Sequence, residues 1–304
     1  MKTNFLSSLS MFFVVLLMVF LSEFLGEKEI IFPEVAALSV GCFLTPSLVW
    51  KTSYFRMFVS IALCALLGLL IVIVLPLPLW CQFMLAFVIG QVVLYFSKTS
   101  FAPMISAIAL PVLIQTRSFV YVAAAIGLTL LVVILRFLFE KIHLKEENHF
   151  EKVFIESNEI LRVNAFRIIC VALISFFCIR FDMKFCVAPP LLVAFTELTN
   201  KSSKASKRPF SVISLVSLCA LCGALSRLLL SPLPYFSLTT AAFFDCVFVH
   251  IFVKIFKMPF PPAAAMSILV LLIPESAVKF YPLQVAAGIT LLTILALFWK
   301  KNNR

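Results

Sequence analysis

Seven long apolar runs dominate this chain: Leu6–Leu21, Met57–Leu75, Phe83–Phe96, Phe119–Leu135, Ile168–Ile179, Val212–Leu225 and Leu283–Leu297. Runs of this length are suited to crossing a bilayer as helices, because the hydrocarbon core leaves backbone polar groups no partner outside their own segment. Strands of outer-membrane barrels alternate apolar and polar residues. These runs do not alternate, so the expected fold class is all-α: a polytopic transmembrane helical bundle. Composition agrees, with 63% hydrophobic and 13% charged residues where soluble domains carry about 25% charged. The apolar stretch after Met1-Lys2 is longer than a signal-peptide core and lacks a small-x-small cleavage site, so it reads as a retained first span.

The sequence contains an internal echo. Cys64-Ala-Leu-Leu-Gly-Leu-Leu70 returns as Cys219-Ala-Leu-Cys-Gly-Ala-Leu225, and Pro76-Leu-Pro78 as Pro232-Leu-Pro234. Lys98-Thr-Ser-Phe101 returns as Lys257-Met-Pro-Phe260, and Gly127-Leu-Thr-Leu-Leu131 as Gly288-Ile-Thr-Leu-Leu292. The offsets run 155, 156, 159 and 161, rising in order as small loop insertions would make them. The expected organisation is a transmembrane repeat over 1–145, a polar linker at 146–152 and a second repeat over 153–304. The charged stretch from Glu140 to Arg162 reads either as a solvated linker or as a short interfacial helix.

Each repeat divides into six segments. They fall near 5–25, 30–49, 57–75, 79–97, 101–115 and 118–139, then near 165–181, 185–200, 210–228, 235–253, 260–274 and 281–299. If every segment crosses and the N-terminus lies inside, 19 of the 25 Lys and Arg fall on the inner side and 6 on the outer. That bias obeys the positive-inside rule and also accounts for the net charge of +11 without nucleic acid as a partner. The location expected is a bacterial cytoplasmic membrane with both termini cytoplasmic, and an even number of crossings makes the repeats parallel. Re-entrant versions of the short segments would move Lys51, Arg56 and the cluster 201–208 outside, against the rule.

Four segments stand apart: 30–49, 101–115, 185–200 and 260–274. They are short and carry proline near their starts, at Pro33, Pro103, Pro189-Pro190 and Pro261-Pro262. About 15 helical residues reach only ~22 Å, less than the hydrocarbon core, which leaves terminal amides at depth. Short or proline-interrupted segments at matching places in two halves point to a transport site. The plainer reading is that proline merely opens ordinary tilted helices at the interface.

Intramembrane polar residues are the second pointer. Asp245 lies near the middle of segment 235–253 with no partner one turn away on its own helix. His250 and Gln91 occupy matching positions at the offset of 159, as solute ligands or as helix–helix hydrogen bonds. Glu197 reads as an interfacial anchor, while Glu34 and Arg136 read as snorkelling residues at segment ends. The nine Cys lie in or beside apolar segments, and the Cys219/Cys222 pair lacks a second pair or a His cluster, so they read as buried thiols. No GxSxG, HExxH or P-loop occurs, which argues against an enzyme and implies no cofactor or metal.

Phe260-Pro261-Pro262-Ala263-Ala264-Ala265 resembles the motif of the HPP family of integral membrane proteins, a His-Pro-Pro followed by small residues. Leu233-Pro-Tyr-Phe236 before it and Tyr281-Pro-Leu-Gln-Val-Ala-Ala-Gly288 after it fit that family's surrounding segments. Phe101-Ala102-Pro103 is a degenerate counterpart in the first repeat. Phe260 and Phe101 stand where the family has His, so any protonation role of that His is missing. The resemblance implies solute transport. A weaker likeness, through Thr45-Pro46-Ser47 and Arg56, runs to the aromatic-acid exporter (fusaric acid resistance) type.

The function expected from these signs is a secondary permease or channel for a small solute. Positive helix N-termini would favour a small anion. The candidate residues are Phe101, Pro103, Pro189, Pro190, Phe260, Pro261, Pro262, Asp245, Gln91 and His250. The other expectation is a non-transporting membrane subunit or scaffold. Partners expected are the lipid bilayer and a small solute or ion, with homo-oligomerisation left open.

Overall fold

The computed structural model describes residues 5–153, 157–230 and 237–303. The Pro232-Leu-Pro234 echo, the Leu233–Phe236 stretch, Lys2, Phe154 and Arg304 lie outside them. Among the described residues every regular element is a helix, with no strands. It is an integral membrane protein: eight helices are long and apolar enough to cross a bilayer. They are α1 (Phe5–Leu25), α3 (Tyr54–Val74), α4 (Leu79–Ser97), α6 (Val120–Lys141), α7 (Ser157–Arg180), α9 (Pro209–Leu230), α10 (Leu238–Phe256) and α13 (Tyr281–Asn302). Each presents an apolar flank outward, as at Phe13, Leu63, Ile134, Leu173, Leu221 and Ile294. Lipid is the solvent such a surface requires.

Between them run four short helices, α2 (Glu34–Phe43), α5 (Pro103–Ile114), α8 (Pro189–Thr199) and α11 (Pro261–Leu269). A further single turn, α12 (Glu275–Val278), precedes α13. At 9 to 12 residues, the four reach only about 14–18 Å. All ten residues of α2 and all nine of α11 are buried, so these helices form the middle of the bundle and the long ones its wall.

Each short helix begins deep inside, preceded by non-α-helical chain that has already travelled inward. The Phe32 N–H donates to Met18 Sδ at 3.2 Å, two turns back from the end of α1, or about 10 Å below it. Gly90, two turns before the end of α4, lies against Ile105 and Ile108 of α5. The far end of α5 meets the start of α4, where Gln115 Nε2 donates to Gln82 Oε1 at 2.7 Å. The stretches 26–43 and 98–114 therefore each run from one end of the bundle to the other, non-α-helical chain first and helix second. The expected fully crossing segments thus take the form of half-helices.

Several contacts recur at the offsets read from the sequence. Tyr121 Oη donates to Ala107 O at 2.8 Å, and Tyr281 Oη to Met266 O at 2.6 Å. Phe32 meets Tyr121 edge-on at 5.7 Å, and Phe185 meets Tyr281 edge-on at 5.5 Å. Lys98 and Lys257 close α4 and α10 in the left-handed conformation, at φ 50° and 49°. Gly68 of α3 lies against the Ile108 carbonyl of α5, and Gly223 of α9 against the Ser267 carbonyl of α11. Only glycine lets two backbones come this close.

The polar stretch at 146–152 is neither a helix nor a free linker. It is strapped to the first half: Glu146 N–H donates to Pro46 O (3.3 Å), Asn148 Nδ2 to Thr52 O (2.8 Å) and Val153 N–H to Lys98 O (2.9 Å). Backbone groups lying on a protein end need partners, and the loops 44–53 and 98–102 supply them. Downstream, α7 begins eight residues earlier than expected, where Lys201 Nζ pairs with Glu159 at 2.8 Å.

Candidate functional site

The first turns of the four short helices meet at one point. A small cavity of about 10 Å³ there is lined by Glu34 and Ala37, Pro103 and Ser106, Pro190 and Val193, and Pro262 and Ala265. Each helix contributes residues three apart from its own first turn, the spacing that places two side chains on one helix face. Pro103, Pro190 and Pro262 are thus brought together as lining residues. Pro189 and Pro261, one position earlier, start their helices beside it. The volume corresponds to about one water molecule.

The proline pairs change the chemistry expected at these helix ends. A helix start normally leaves four N–H groups without intrahelical partners. At α8, Ala188 N–H donates to Phe185 O, Pro189 and Pro190 have no N–H, and Leu191 N–H donates to Ala188 O at 2.7 Å. All four positions are accounted for without solute or water. At α11, Pro261 and Pro262 likewise remove two donors, and Ala263 N–H bonds Phe260 O. At α8 and α11 the expectation of open amides awaiting a ligand is therefore corrected: proline deletes donors that the hydrocarbon region could not satisfy.

In their place stands a carboxyl group. Glu34, first residue of α2, is 1% exposed. Its Oε1 accepts a hydrogen bond from Ser106 Oγ of α5, and its Oε2 has no partner. This corrects the reading of Glu34 as a snorkelling end residue, because the chain enters the bundle before α2 starts. The positive ends of four helix dipoles already surround a resident acid, so the anion expected there is matched by the protein's own side chain.

The opposite, negative ends of α2, α8 and α11 are capped by buried cations, while α5 ends on Gln115 in the left-handed conformation. Arg136 of α6 is fully buried, not snorkelling, and donates to Cys42 O (2.6 Å), Pro46 O (2.9 Å) and Glu146 O (3.1 Å) while pairing with Glu140 (3.0 Å). Lys145 Nζ adds bonds to Phe43 O (2.6 Å) and Thr45 O (2.8 Å). Burial, then the neighbouring Arg136 charge, pulls the Lys145 amine down to about 8. Arg167 of α7 closes α8 through Thr196 O (2.9 Å) and Thr199 Oγ1 (2.8 Å). Arg227 of α9 closes the α11 end through Val270 O and Ile273 O (2.6 Å). Cations at helix C-termini are favourable, and each also satisfies carbonyls that water cannot reach.

The remaining candidates lie apart from the cavity. Phe101 is buried edge-on against Trp50, with centroids 5.2 Å apart, and Phe260 is the buried cap of α11. Gln91 serves the Arg167 cluster, accepting from Nη1 at 3.2 Å and donating to Thr196 Oγ1 at 3.2 Å. His250 does not share that environment. It packs edge-on against Phe12 of α1, and its Nδ1 has no partner. Glu197 is no interfacial anchor, because its Oε1 accepts from Trp50 Nε1 at 3.0 Å, joining the two halves. Asp245 is fully buried on α10, and neither carboxyl oxygen has a bonding partner. Ser226 of α9 faces it, short of hydrogen-bonding geometry. A larger hollow of about 380 Å³ at Pro46 and His143–Glu147 is an open surface depression, far from the short-helix starts. No protein-family model matches this chain, and neither a curated protein nor a solved structure does.

Proposed function

We propose that this protein is a membrane permease, a secondary transporter or channel, for a small solute. Its site is the meeting point of α2, α5, α8 and α11. The observation that carries this reading is the matched register of four proline-led helix starts around a carboxyl group with an unused oxygen. Buried ionisable groups are costly in a membrane and mark pathways more often than packing. The two halves are parallel repeats, a reading supported by the recurring Tyr–carbonyl, Phe–Tyr and Gly–carbonyl contacts. Both termini lie on the cytoplasmic side, a placement that rests on the Lys/Arg bias. The HPP-like motif at 260–265 belongs to this reading, since Pro262 and Ala265 line the cavity.

The cavity is the closed form of the pathway, and a solute larger than water passes when the short helices separate. Reconstituted vesicles test this. Swelling-coupled light scattering is followed across a panel of small anions, including nitrite and formate, and small neutral solutes. Flux above protein-free vesicles is expected for at least one solute, reduced by Pro262→Ala and Ser106→Ala. Equal flux in empty and loaded vesicles across the panel refutes the permease.

One observation favours a second reading, a non-transporting membrane subunit: the short helices are sealed to a volume of about one water. That reading predicts a stable partner recovered at fixed stoichiometry on mild purification, together with absent flux.

A further inference from the structure

We infer that Glu34 is a proton-binding site, and that the solute moves through the central cavity together with a proton carried on this carboxyl. The coupling half of the inference rests on the permease reading, whereas the protonation half does not. Three observations lead to it. Glu34 is 1% exposed, lines the cavity and leaves Oε2 without a partner. Pro103, Pro190 and Pro262 have no N–H to offer the group, so the backbone donor at hand is Glu34's own N–H, and Oε2 still has no partner. Only Ser106 supplies a side-chain donor, and it is already bonded to Oε1.

The alternatives fit poorly. A calcium or magnesium ion takes about six or more oxygen ligands, and the lining side chains hold only the two carboxyl oxygens and one hydroxyl. A trapped water needs two to four polar partners; Ser106 Oγ and Oε1 are already bonded to each other, which leaves Oε2 as the one side-chain polar atom of the lining without a bond. A proton needs no cavity and no further ligands. It converts Oε2 from an unpaired acceptor into a hydroxyl, with no other bond made or broken. Both states have physical support. The surrounding helix dipoles favour the carboxylate, and burial favours the neutral acid. A group so balanced can load when open to one side and release when open to the other.

Among the described residues Asp245 is the other fully buried unpartnered carboxyl, but it sits on α10, outside the cavity lining. It serves as the internal comparison.

The test is infrared difference spectroscopy on the full chain in lipid nanodiscs. The pH is stepped across about 4 to 9, the span over which protein carboxyls titrate. A reversible carbonyl band of a protonated carboxyl is expected, lost in Glu34→Gln and retained in Asp245→Asn. Ser106→Ala removes the hydrogen bond to this group and should move the band to higher frequency, a readout that remains if Glu34→Gln fails to fold. A spectrum without a titrating band overturns the assignment. So does a band that survives Glu34→Gln or is unmoved by Ser106→Ala. In vesicles carrying a trapped pH dye, solute flux without accompanying proton movement overturns the coupling and leaves the permease intact. An assigned Glu34 band with no flux in any vesicle sinks the permease and leaves the protonation site standing.

Discussion

Replacing Gly223 by alanine adds one methyl group where α9 rides on α11. The new Cβ would lie 2.5 Å from Ser267 O, 3.0 Å from Ser267 Cα and 3.1 Å from Ser267 C. All three atoms are backbone of a buried helix, so no rotamer change relieves the overlap. The two helices must move apart by nearly an ångström at the oxygen. Overpacking of this kind costs about 1–3 kcal/mol, and collision with backbone puts it at the upper end. Alanine returns about 1 kcal/mol of helix propensity relative to glycine, leaving a net loss of about 2 kcal/mol. Gly127 of α6 supplies the control. It is exposed on the outer face, with nothing within 4 Å of an added methyl group. The same substitution there gains the ~1 kcal/mol of propensity without the clash. At the lower end of the usual scaling, about 2 °C per kcal/mol, Gly223→Ala should melt ~4 °C below wild type. Gly127→Ala should melt ~2 °C above it. Intrinsic tryptophan fluorescence during heating in detergent gives both numbers. Equal shifts for the two variants would show that the close approach of α9 and α11 does not exist as described.

Removing Arg136 strips the end of α2 and leaves Glu140 unpaired, so Arg136→Met should cost about 3–5 kcal/mol. The same melting assay reads this, and a loss under about 1 kcal/mol would place the pair at an exposed surface. Lys145 has its amine lowered from 10.5 to about 8, so the unfolded chain binds more protons than the folded one between these values. The penalty is complete below pH 8 and fades as pH rises toward 10.5, so this group's contribution to stability increases with pH in that window. Site-resolved acylation read by mass spectrometry should show Lys145 half-reactive near pH 8. A midpoint at the ordinary lysine value would remove the argument.

The bundle was legible in the sequence because lipid imposes a one-dimensional rule: a lipid-exposed segment that cannot satisfy its own backbone cannot cross. That rule located the long helices closely, with α1 and α4 at their expected bounds. The short segments were marked by length and proline at Pro103, Pro189-Pro190 and Pro261-Pro262, since proline has a fixed place in a helix whatever surrounds it. The site was only partly legible. Glu34 follows Pro33 at the position of the other helix starts, and that alignment was the available signal. Its nearness to a segment end suggested an exposed side chain. Arg136 reads as snorkelling for the same reason, and Arg167 and Arg227 enter only the Lys/Arg bias.

What the sequence by itself determined is the solvent and the segment list, because hydrophobic length and backbone satisfaction are local properties. Only the tertiary structure decided that short helices start in the interior, that four starts converge on one carboxyl, and that arginines cap the opposite ends of α2, α8 and α11. Those are consequences of how far the chain travels inward before it coils. That depth is set by contacts such as Phe32 with Met18 and Gly90 with Ile105, which join residues distant in the chain and have no period to betray them.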